Sequence, residues 1–527
     1  MFNVSHVLSR ITSYSKPIDG NKTALIFRDK MLTYGELHAS SNRLANKFLE
    51  FGINKGDRIA CLLYNCAEYW EIYFACAKIG AVLVPLNFRL APPELEFAIN
   101  DSGPRVVLFG ETFRDIITGL EKGLVSPEYY VCLPDEGESI VGFKEDSRHL
   151  LFKRLYEAGE DEPVIDVGLE DDLFIMYTSG TTGRPKGAQW THSNSMWFSV
   201  SQIITLGFRA DDITLLSGPM YHVGSLQDMS MPTYHMGGTC LLLPSLSFNP
   251  DGVLQLMVKE RVTKALLFPV MIFDILALPN LEEYDLSALK IIFTGGEPVP
   301  LASIRRFQER LPSVGLVQLY GLTEGGGIAT ACLTDYAVEK AGSAGKPLAN
   351  FELKILDDDG HILGPGQIGE VLVKGAAVSS GYWKRPEANA ETFVQGWCRT
   401  GDLGRFDDDG FLFLEGRKKD MIISGAENIY PAEIENVLFQ NPKIHEAAVI
   451  GIPDPRWGEA VTAVVVTKPG QTMTEEEVIE HCKKNLASYK KPRHVAFIDA
   501  LPRTPSQKVQ KFILRDRFKD LGTKTNP

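Results

Sequence analysis

Residue types that bind phosphate come together in one string, Ser179-Gly180-Thr181-Thr182-Gly183-Arg184-Pro185-Lys186-Gly187. Glycines let backbone N–H groups approach phosphate oxygens, hydroxyls add donors, and Lys186 adds a positive charge. The string is not a P-loop, because the spacing from Gly180 to Lys186 is wrong and Gly187 follows the lysine. Taken alone, a surface loop of ordinary composition is the alternative. Together with Thr178 before it, the string predicts a phosphate-binding loop.

Other residue types fit the remaining parts of a nucleotide. Tyr320 can stack on a purine, and Glu324 can hold Mg²⁺, which needs few protein ligands because it keeps water and phosphate as others. Asp402 can accept both hydroxyls of a ribose, and Arg417 can donate to the sugar or to phosphate. The alternatives are a core tyrosine, a solvent-facing or helix-capping glutamate and a surface ion pair.

The elements that must position these residues follow an α/β pattern over the first 400 or so residues. Short apolar runs alternate with amphipathic segments, as in RIACLLY, AEYWEIYFACAKIG and AVLVPLN. Three apolar runs end in glycine-bearing or polar turns: LFIMY before TSGTTGRPKG, KIIF before TGGEP, and LVQLY before GLTEGGG. Ligands of open α/β sheets bind where such turns gather, outside the carboxyl ends of the strands. The pattern predicts that the three turns form one site.

A short polar, basic stretch, GRKKD, follows the apolar run FLFLE and predicts a domain boundary near Arg417. Residues 1–417 are expected to form a large α/β domain of several subdomains, and residues 418–527 a small, mobile α+β lid domain. The lid shows the strand-like runs AAVIGIP and AVTAVVVT, then a helix opened by a capping box of Thr474 and Glu477. From residue 419 onward it has 16 basic and 14 acidic residues, in a chain of net charge −13. A basic lid suits closure over phosphates.

Composition narrows the class of protein. The chain of 527 residues is 44% hydrophobic and 23% charged, which is typical of a globular enzyme. A net charge of −13 argues against broad nucleic-acid binding. The eight scattered cysteines form no C-x-x-C pair, so a reduced, cytoplasmic setting is expected. No signal peptide or membrane span is expected, since no apolar run is long enough.

The motifs together resemble one family. YTSGTTGRPKG is similar to the phosphate loop of the acyl-adenylate-forming superfamily, which includes acyl-CoA synthetases, firefly-type luciferases and adenylation domains of peptide synthetases. Further motifs of that superfamily follow in order: TGGEP on the adenine side, YGLTE for adenine, phosphate and magnesium, RTGD for ribose, GRKKD as the hinge, SGAENIYPAEIE opening the lid, and PRTPSQK with the catalytic lysine. The resemblance covers about residues 30 to 515.

The resemblance implies a set of nucleotide and coenzyme A contacts. They are Thr178, Ser179, Gly180, Thr181, Thr182, Gly183, Lys186, Gly295, Gly296, Glu297, Pro298, Tyr320, Gly321, Asp402, Arg417 and Gly425. Lys508, Thr323, Glu324 and His222 are the implied catalytic residues, with Glu324 as the metal ligand. Lys508 would bridge the attacking carboxylate and the α-phosphate. The family usually has glycine before this lysine, whereas Gln507 stands here, and Lys511 is the competing candidate.

Two catalytic states are expected, because the loop of Lys508 would obstruct the path of a thiol to the acyl carbonyl. Lys419 matches the family's hinge, about which the lid would rotate, and Gly425 would line the coenzyme A channel in the second state. His222 in PMYHVGS would be a wall or gate beside the acid pocket, with a purely structural histidine as the alternative. Because Tyr221-His222 supplies no anion for an α-ammonium group, an amino-acid substrate is disfavoured.

The predicted function is AMP-forming acyl-CoA synthesis with ATP, Mg²⁺ and coenzyme A. Gly325-Gly326-Gly327 is expected to leave side-chain volume empty beside the reaction site, admitting a medium- or long-chain fatty acid or an aryl acid. The fatty acid is preferred, which places the chain in lipid metabolism. Alternatives are an adenylating enzyme with another acceptor, such as a carrier protein or oxygen, and a nucleotide-binding protein without chemistry. A homodimer is one expectation for the assembly.

Overall fold

The computed structural model describes residues 3–10, 18–135, 140–178, 185–246, 248–296, 299, 301–424, 427–503 and 509–521. Contacts group the chain into two compact units, residues 1–353 with 373–399 and residues 354–372 with 400–527. This grouping differs from a division at Arg417, which stays a prediction.

The first unit contains a sheet whose central strands are parallel. These strands lie in the order Thr23–Phe27, Thr239–Leu242, Ile213–Leu216, Lys264–Leu266, Ile291–Gly295 and Gly315–Leu322. Antiparallel strands flank them, Lys30–Thr33 on one side and Gly327–Cys332 with Ser343–Pro347 on the other. Because parallel strands end at the same edge, the turns after Gly295 and Leu322 are neighbours.

A second sheet of the same unit carries the phosphate-loop strand. Its order is His149–Leu151, Tyr129–Leu133, Val106–Gly110, Arg58–Leu62, Val82–Pro85, Asp172–Thr178, Lys186–Thr191 and Gly381–Tyr382. Neighbouring strands are parallel from His149–Leu151 to Asp172–Thr178. Strand Lys186–Thr191 is antiparallel to Asp172–Thr178, and Gly381–Tyr382 is antiparallel to Lys186–Thr191. The strands predicted in RIACLLY, AVLVPLN and LFIMY are therefore present, but LFIMY lies in a different sheet from KIIF and LVQLY.

Helices pack on both sides of these sheets. One buried cluster joins apolar side chains of both sheets to helices Tyr34–Glu50 and Glu68–Ile79. Helix Glu68–Ile79 is buried from Tyr69 to Ile79, which explains why its sequence is apolar nearly all round. The other helices of the unit are His6–Ser9, Pro92–Ser102, Arg114–Leu120, His192–Leu206, Val223–Leu226, Ser230–Met236, Pro250–Lys259, Pro269–Ala277, Leu301–Arg310 and Pro386–Thr392.

The second unit contains the α+β fold predicted for the tail. Its sheet has the order Glu427–Ile429, Ile422–Ser424, Gly458–Thr467 and Ile444–Asp454, and His494–Phe497 pairs with Gly458–Thr467. The helices are Pro431–Leu438, Glu475–Asn485 and Lys511–Phe518. The predicted capping box is present, since Thr474 Oγ1 accepts a hydrogen bond from Glu477 N at 3.2 Å and Glu477 Oε2 accepts from Thr474 N at 3.0 Å.

A further strand group belongs to the region of RTGD and GRKKD. The strands Phe351–Leu356, Gly369–Gly375, Trp397–Phe406 and Leu412–Arg417 are hydrogen-bonded in that order, and the short strand Phe393–Val394 pairs with Trp397–Phe406. A single helical turn, Lys418–Asp420, follows Arg417. The predicted fold class, a large α/β domain with a small C-terminal α+β domain, is confirmed. Within the described part of the chain, every helix is too short or too polar to cross a membrane.

Candidate active site

The phosphate loop connects two paired strands. Thr178 ends strand Asp172–Thr178, Lys186 begins strand Lys186–Thr191, and the two residues are opposite each other in the antiparallel pair. Thr178 Oγ1 also lies 3.4 Å from Lys186 O. The ends of the loop are thus fixed by strand pairing, while Ser179, Gly180, Thr181, Thr182 and Gly183 lie outside the described residues.

Glu324 links the two sheets of the first unit. Its Oε1 accepts hydrogen bonds from the Thr178 hydroxyl at 2.8 Å and from the Tyr382 hydroxyl at 3.1 Å. The preceding residue, Thr323, is buried, and its carbonyl accepts a hydrogen bond from the Trp190 indole at 2.9 Å. The phosphate-loop strand and the YGLTE segment therefore meet at this carboxylate, as the sequence predicted for these turns.

The adenine-side segments lie beside each other. Gly295 is opposite Leu319 in the parallel pair, and a side chain at Gly295 would come within 2.8 Å of Leu319 O. At Gly321 a Cβ would lie 1.7 Å from Gly327 O, so only glycine fits. Tyr320 is half-buried between these positions, and Gly296 has φ +90° with open space beside it. The other predicted residues of this turn, Glu297 and Pro298, lie outside the described residues.

The prediction that Gly325-Gly326-Gly327 leaves empty volume is wrong. A Cβ at Gly325 would lie 2.5 Å from Leu322 Cδ2, and one at Gly327 would lie 2.5 Å from the Phe198 ring. Gly326, with φ +91°, is packed against the backbone of Ala377. These glycines let neighbouring groups pack closely, and the space that the sequence suggested is already filled.

Tyr382 is a member of the site that sequence reasoning missed. Besides its bond to Glu324, its ring lies under the ammonium group of Lys186, with Nζ 5.1 Å from the ring centre. Burial, and then the Glu324 carboxylate, raise the pKa of the Tyr382 phenol, so it is a hydrogen-bond donor at neutral pH. Nothing local in GYWKRPE marks this tyrosine, because its role depends on residues far away in the sequence.

His222 precedes the short helix Val223–Leu226, and its carbonyl accepts hydrogen bonds from the backbone N–H groups of Ser225 and Leu226. Its ring is 5.4 Å from that of Tyr221, which packs edge-on against Phe88. The residue is half-buried, and its role as a wall or gate stays a prediction.

In the second unit, Asp402 and Arg417 are opposite each other on neighbouring antiparallel strands. Arg417 Nε is 2.8 Å from Asp402 Oδ1, and Arg417 Nη1 donates to Thr400 O at 3.1 Å. The Asp402 side chain is 10% exposed and that of Arg417 38%, so the pair is partly buried. The assignment of the pair to ribose stays a prediction.

Two candidate catalytic lysines, Lys508 and Lys511, lie near the C-terminus. Lys511 begins helix Lys511–Phe518, and its ammonium group is 2.6 Å from Glu435 Oε1. Lys508 lies outside the described residues, as does Gly425 of the coenzyme A prediction. The ends of the Lys508 segment are held by a bridge between Arg503 and Val509 and by a hydrogen bond from Gln510 N to Pro502 O at 2.8 Å.

Comparison with known families agrees with this geometry. Residues 18–383 match the model of the AMP-binding enzyme family, and residues 433–508 match that of the AMP-binding enzyme C-terminal domain. The chain belongs to the AMP-binding enzyme family. The family assignment predicted from the ordered motifs is confirmed.

Individual relatives match nearly the whole chain. A long-chain-fatty-acid–CoA ligase of Mycobacterium tuberculosis is 39% identical over 490 residues, covering 93% of this chain and 94% of that protein. A feruloyl-CoA synthase of an Amycolatopsis species is 39% identical over 497 residues, covering 94% and 96%. The crystal structure of ATP-bound MatB from Rhodopseudomonas palustris is 32% identical, with a TM-score of 0.88 and coverage of 99% and 100%.

Among AMP-binding enzymes, this chain is an acyl-CoA ligase of the AMP-forming type, which uses ATP and coenzyme A. The predicted enzyme class, acid–thiol ligase, is confirmed.

Proposed function

We propose that this ligase activates a medium- or long-chain fatty acid, or an aryl acid, as an acyl-adenylate at Glu324 and then transfers the acyl group to the thiol of coenzyme A. The observation that carries the proposal is the 2.8 Å hydrogen bond between Thr178 and Glu324. It joins the end of the phosphate-loop strand to the acidic residue of YGLTE. Phosphates bound by the loop would therefore lie beside this carboxylate.

The residues at Glu324 fit a magnesium ion. Two hydroxyl donors fix Oε1, and Oε2 makes no hydrogen bond to a described residue. One carboxylate is enough for Mg²⁺, which takes its other ligands from water and phosphate. When bound, the ion would neutralise phosphate charge. Lys186 adds a second positive charge on the same side, since its ammonium group lies over the ring of Tyr382.

The chain's own residues would divide the remaining work. Thr178 and Lys186 bind phosphate oxygens at the two ends of the loop, and Tyr320 stacks on adenine. Lys508 stabilises the negative charge that gathers between the carboxylate and the α-phosphate in the displacement. Asp402 and Arg417 bind the ribose hydroxyls. A homodimer stays a prediction.

The class of acid rests on the relatives. The two curated relatives above are named for a long-chain fatty acid and for a ferulic acid, at the same 39% identity. Equal identity supports both alkyl and aryl acids, and our preference for the alkyl class stays a prediction.

The test is mass spectrometry of products formed from ATP, coenzyme A and a panel of alkyl and aryl acids, with Mg²⁺ and with a chelator. We expect AMP and one acyl-CoA, only when Mg²⁺ is present. Glu324→Gln, which keeps the shape of the side chain but removes its charge, should lower adenylation on the order of a hundredfold. Acyl-adenylate without thioester would contradict coenzyme A as the acceptor and indicate a carrier protein.

A further inference from the structure

Tyr382 contacts two residues of opposite charge at once. Its hydroxyl donates to Glu324 Oε1 at 3.1 Å, and the Nζ atom of Lys186 lies 5.1 Å from its ring centre. The edge of the phenol thus holds an anion while the face of the ring holds a cation. Among the described residues, the hydrogen bonds of the Glu324 carboxylate come from the hydroxyls of Thr178 and Tyr382 and not from Lys186, although Lys186 contacts the same tyrosine.

The backbone of Tyr382 is held from two directions. It pairs with Ala188 in the antiparallel strand that begins at Lys186. The side chain of Asn389 makes two further hydrogen bonds to this backbone: Tyr382 N donates to Asn389 Oδ1 at 2.6 Å, and Asn389 Nδ2 donates to Tyr382 O at 3.0 Å. The ring packs edge-on against Phe393, with 5.6 Å between ring centres. So many restraints fix where the phenol points.

The position of this ring decides what the two charges can bind. An ammonium group and a carboxylate at one site would attract each other strongly at close range. If Lys186 and Glu324 formed a direct ion pair, the lysine would be less available to phosphate and the carboxylate less available to a metal ion. A cation–π contact is weaker than a contact with phosphate, so the ring holds Lys186 in place without competing with the nucleotide.

We propose that Tyr382 is a positioning residue that keeps Lys186 and Glu324 apart, leaving the lysine for phosphate and the carboxylate for Mg²⁺. The metal part of this inference rests on the proposed function of Glu324. The separation of Lys186 from Glu324 is a matter of this chain's own side chains, and it can be tested without any metal.

The experiment measures ATP binding to the whole chain by calorimetry, with and without Mg²⁺, in variants of Tyr382. Tyr382→Phe keeps the ring under Lys186 but removes the hydroxyl bond, so metal-free ATP should bind as in the wild type. The Mg²⁺ concentration that gives half of the full affinity gain should rise about tenfold, as for the loss of one hydrogen bond to a charged group. Tyr382→Leu removes both contacts and should weaken metal-free ATP binding about tenfold as well, because Lys186 then pairs with Glu324.

A double variant separates positioning from a merely structural role. In Tyr382→Leu with Glu324→Gln, the lysine no longer has a carboxylate to pair with, so metal-free ATP binding should recover. Tyr284→Phe is the matched control, since it also removes a half-buried tyrosine–carboxylate bond, from Tyr284 to Asp251 at 2.6 Å, away from the residues assigned to nucleotide and metal. It should leave both measurements unchanged.

Failure of the double variant to restore metal-free binding would overturn the separation by Tyr382. Wild-type Mg²⁺ dependence in Tyr382→Phe would overturn its contact with the metal ligand. If Glu324→Gln alone kept the wild-type Mg²⁺ dependence, the metal assignment in the proposed function would be wrong, and the metal-free comparison would still decide the role of Tyr382.

Discussion

The two lysines of the C-terminal segment illustrate how a single contact separates candidates. Lys511 is engaged by Glu435, whose Oε1 also accepts a hydrogen bond from Val449 N at 2.7 Å. Lys511 therefore ties helix Lys511–Phe518 to helix Pro431–Leu438 and strand Ile444–Asp454. A lysine with a structural partner is a weaker candidate for transient contact with a substrate, so Lys508 is the preferred catalytic residue.

We predict that Lys508→Ala lowers acyl-AMP formation on the order of a hundredfold or more, because a preorganised positive charge is lost. Conversion of supplied acyl-AMP to thioester should continue, since the lysine serves only the first step. Both half-reactions are measured by product analysis, with Lys511→Ala as the matched control that should spare both. Equal loss of the two half-reactions in a folded Lys508→Ala variant would contradict the division of labour.

At the scale of elements, one strand pair positions the residues predicted for ribose. The strands Trp397–Phe406 and Leu412–Arg417 bring together two ion pairs, Asp402 with Arg417 and Arg405 with Glu415. Residue types alone do not distinguish these pairs, since each joins an arginine to a carboxylate. The pair of Asp402 and Arg417 is distinguished because its members belong to the motifs RTGD and GRKKD.

We predict that Asp402→Ala abolishes most of the preference for ATP over 2′,3′-dideoxy-ATP. In the wild type the preference should be about 10- to 100-fold, as expected for hydrogen bonds to a charged group. The measurement is the KM for each nucleotide. Glu415→Ala removes the other pair, in which Arg405 Nε lies 2.9 Å from Glu415 Oε1, and should keep the wild-type preference. An unchanged preference in Asp402→Ala would leave the aspartate with a structural role only.

The turn Lys418–Asp420 is the element on which the hinge prediction depends. Met421 N donates to Arg417 O at 3.1 Å, which closes the turn around Lys419. Proline at position 419 would fix the backbone dihedral φ near −65° and limit rotation there.

We expect Lys419→Pro to form acyl-AMP at nearly the wild-type rate, while thioester formation falls by about tenfold or more if the second state requires rotation at this residue. The two half-reactions are again assayed separately. Lys419→Ala leaves the backbone unrestricted and should support both half-reactions. If proline and alanine gave the same result, the hinge would lie elsewhere.

For the molecule as a whole, two buried histidines, His38 and His192, and the half-buried His235 couple stability to pH. Burial lowers the pKa of His38, His192 and His235 to about 4 each, assisted by the Lys78 ammonium at His38 and by Arg10 at His235. In the unfolded chain these groups titrate near 6.5. Between these values the unfolded state binds more protons, so the free energy of unfolding falls as pH falls, by about 1.4 kcal/mol per histidine and pH unit.

We predict that the thermal midpoint of unfolding falls less in His192→Asn than in the wild type when the pH is lowered from about 7 to about 5. The imidazole Nδ1 of His192 accepts a hydrogen bond from Val4 N at 3.3 Å, which an asparagine oxygen can replace. Scanning calorimetry at several pH values measures the effect. His361→Asn is the control, because that side chain is 76% exposed and paired with Asp357. If the thermal midpoint changed with pH in His192→Asn as it does in the wild type, the contribution of this histidine would be refuted.

The sequence by itself determined the local features of this ligase. The strand before each motif, the capping box at Thr474 and the ordered phosphate, adenine and ribose motifs depend on neighbouring residues, so they could be identified from the chain alone. The family and the enzyme class followed from those motifs. The roles of residues outside the described part of the chain, Lys508 above all, remain predictions.

Only the tertiary structure decided which distant residues meet. The bond between Thr178 and Glu324 joins positions 146 residues apart, one at the end of a strand of one sheet and the other in the turn that follows a strand of the other sheet. Tyr382 contacts Glu324 across 58 residues of sequence. It also showed that the three glycines after Glu324 are packed against Leu322, Phe198 and Ala377 rather than beside open space. The physical reason is that such contacts depend on how whole sheets and helices pack, and neither residue type nor spacing along the chain specifies that packing.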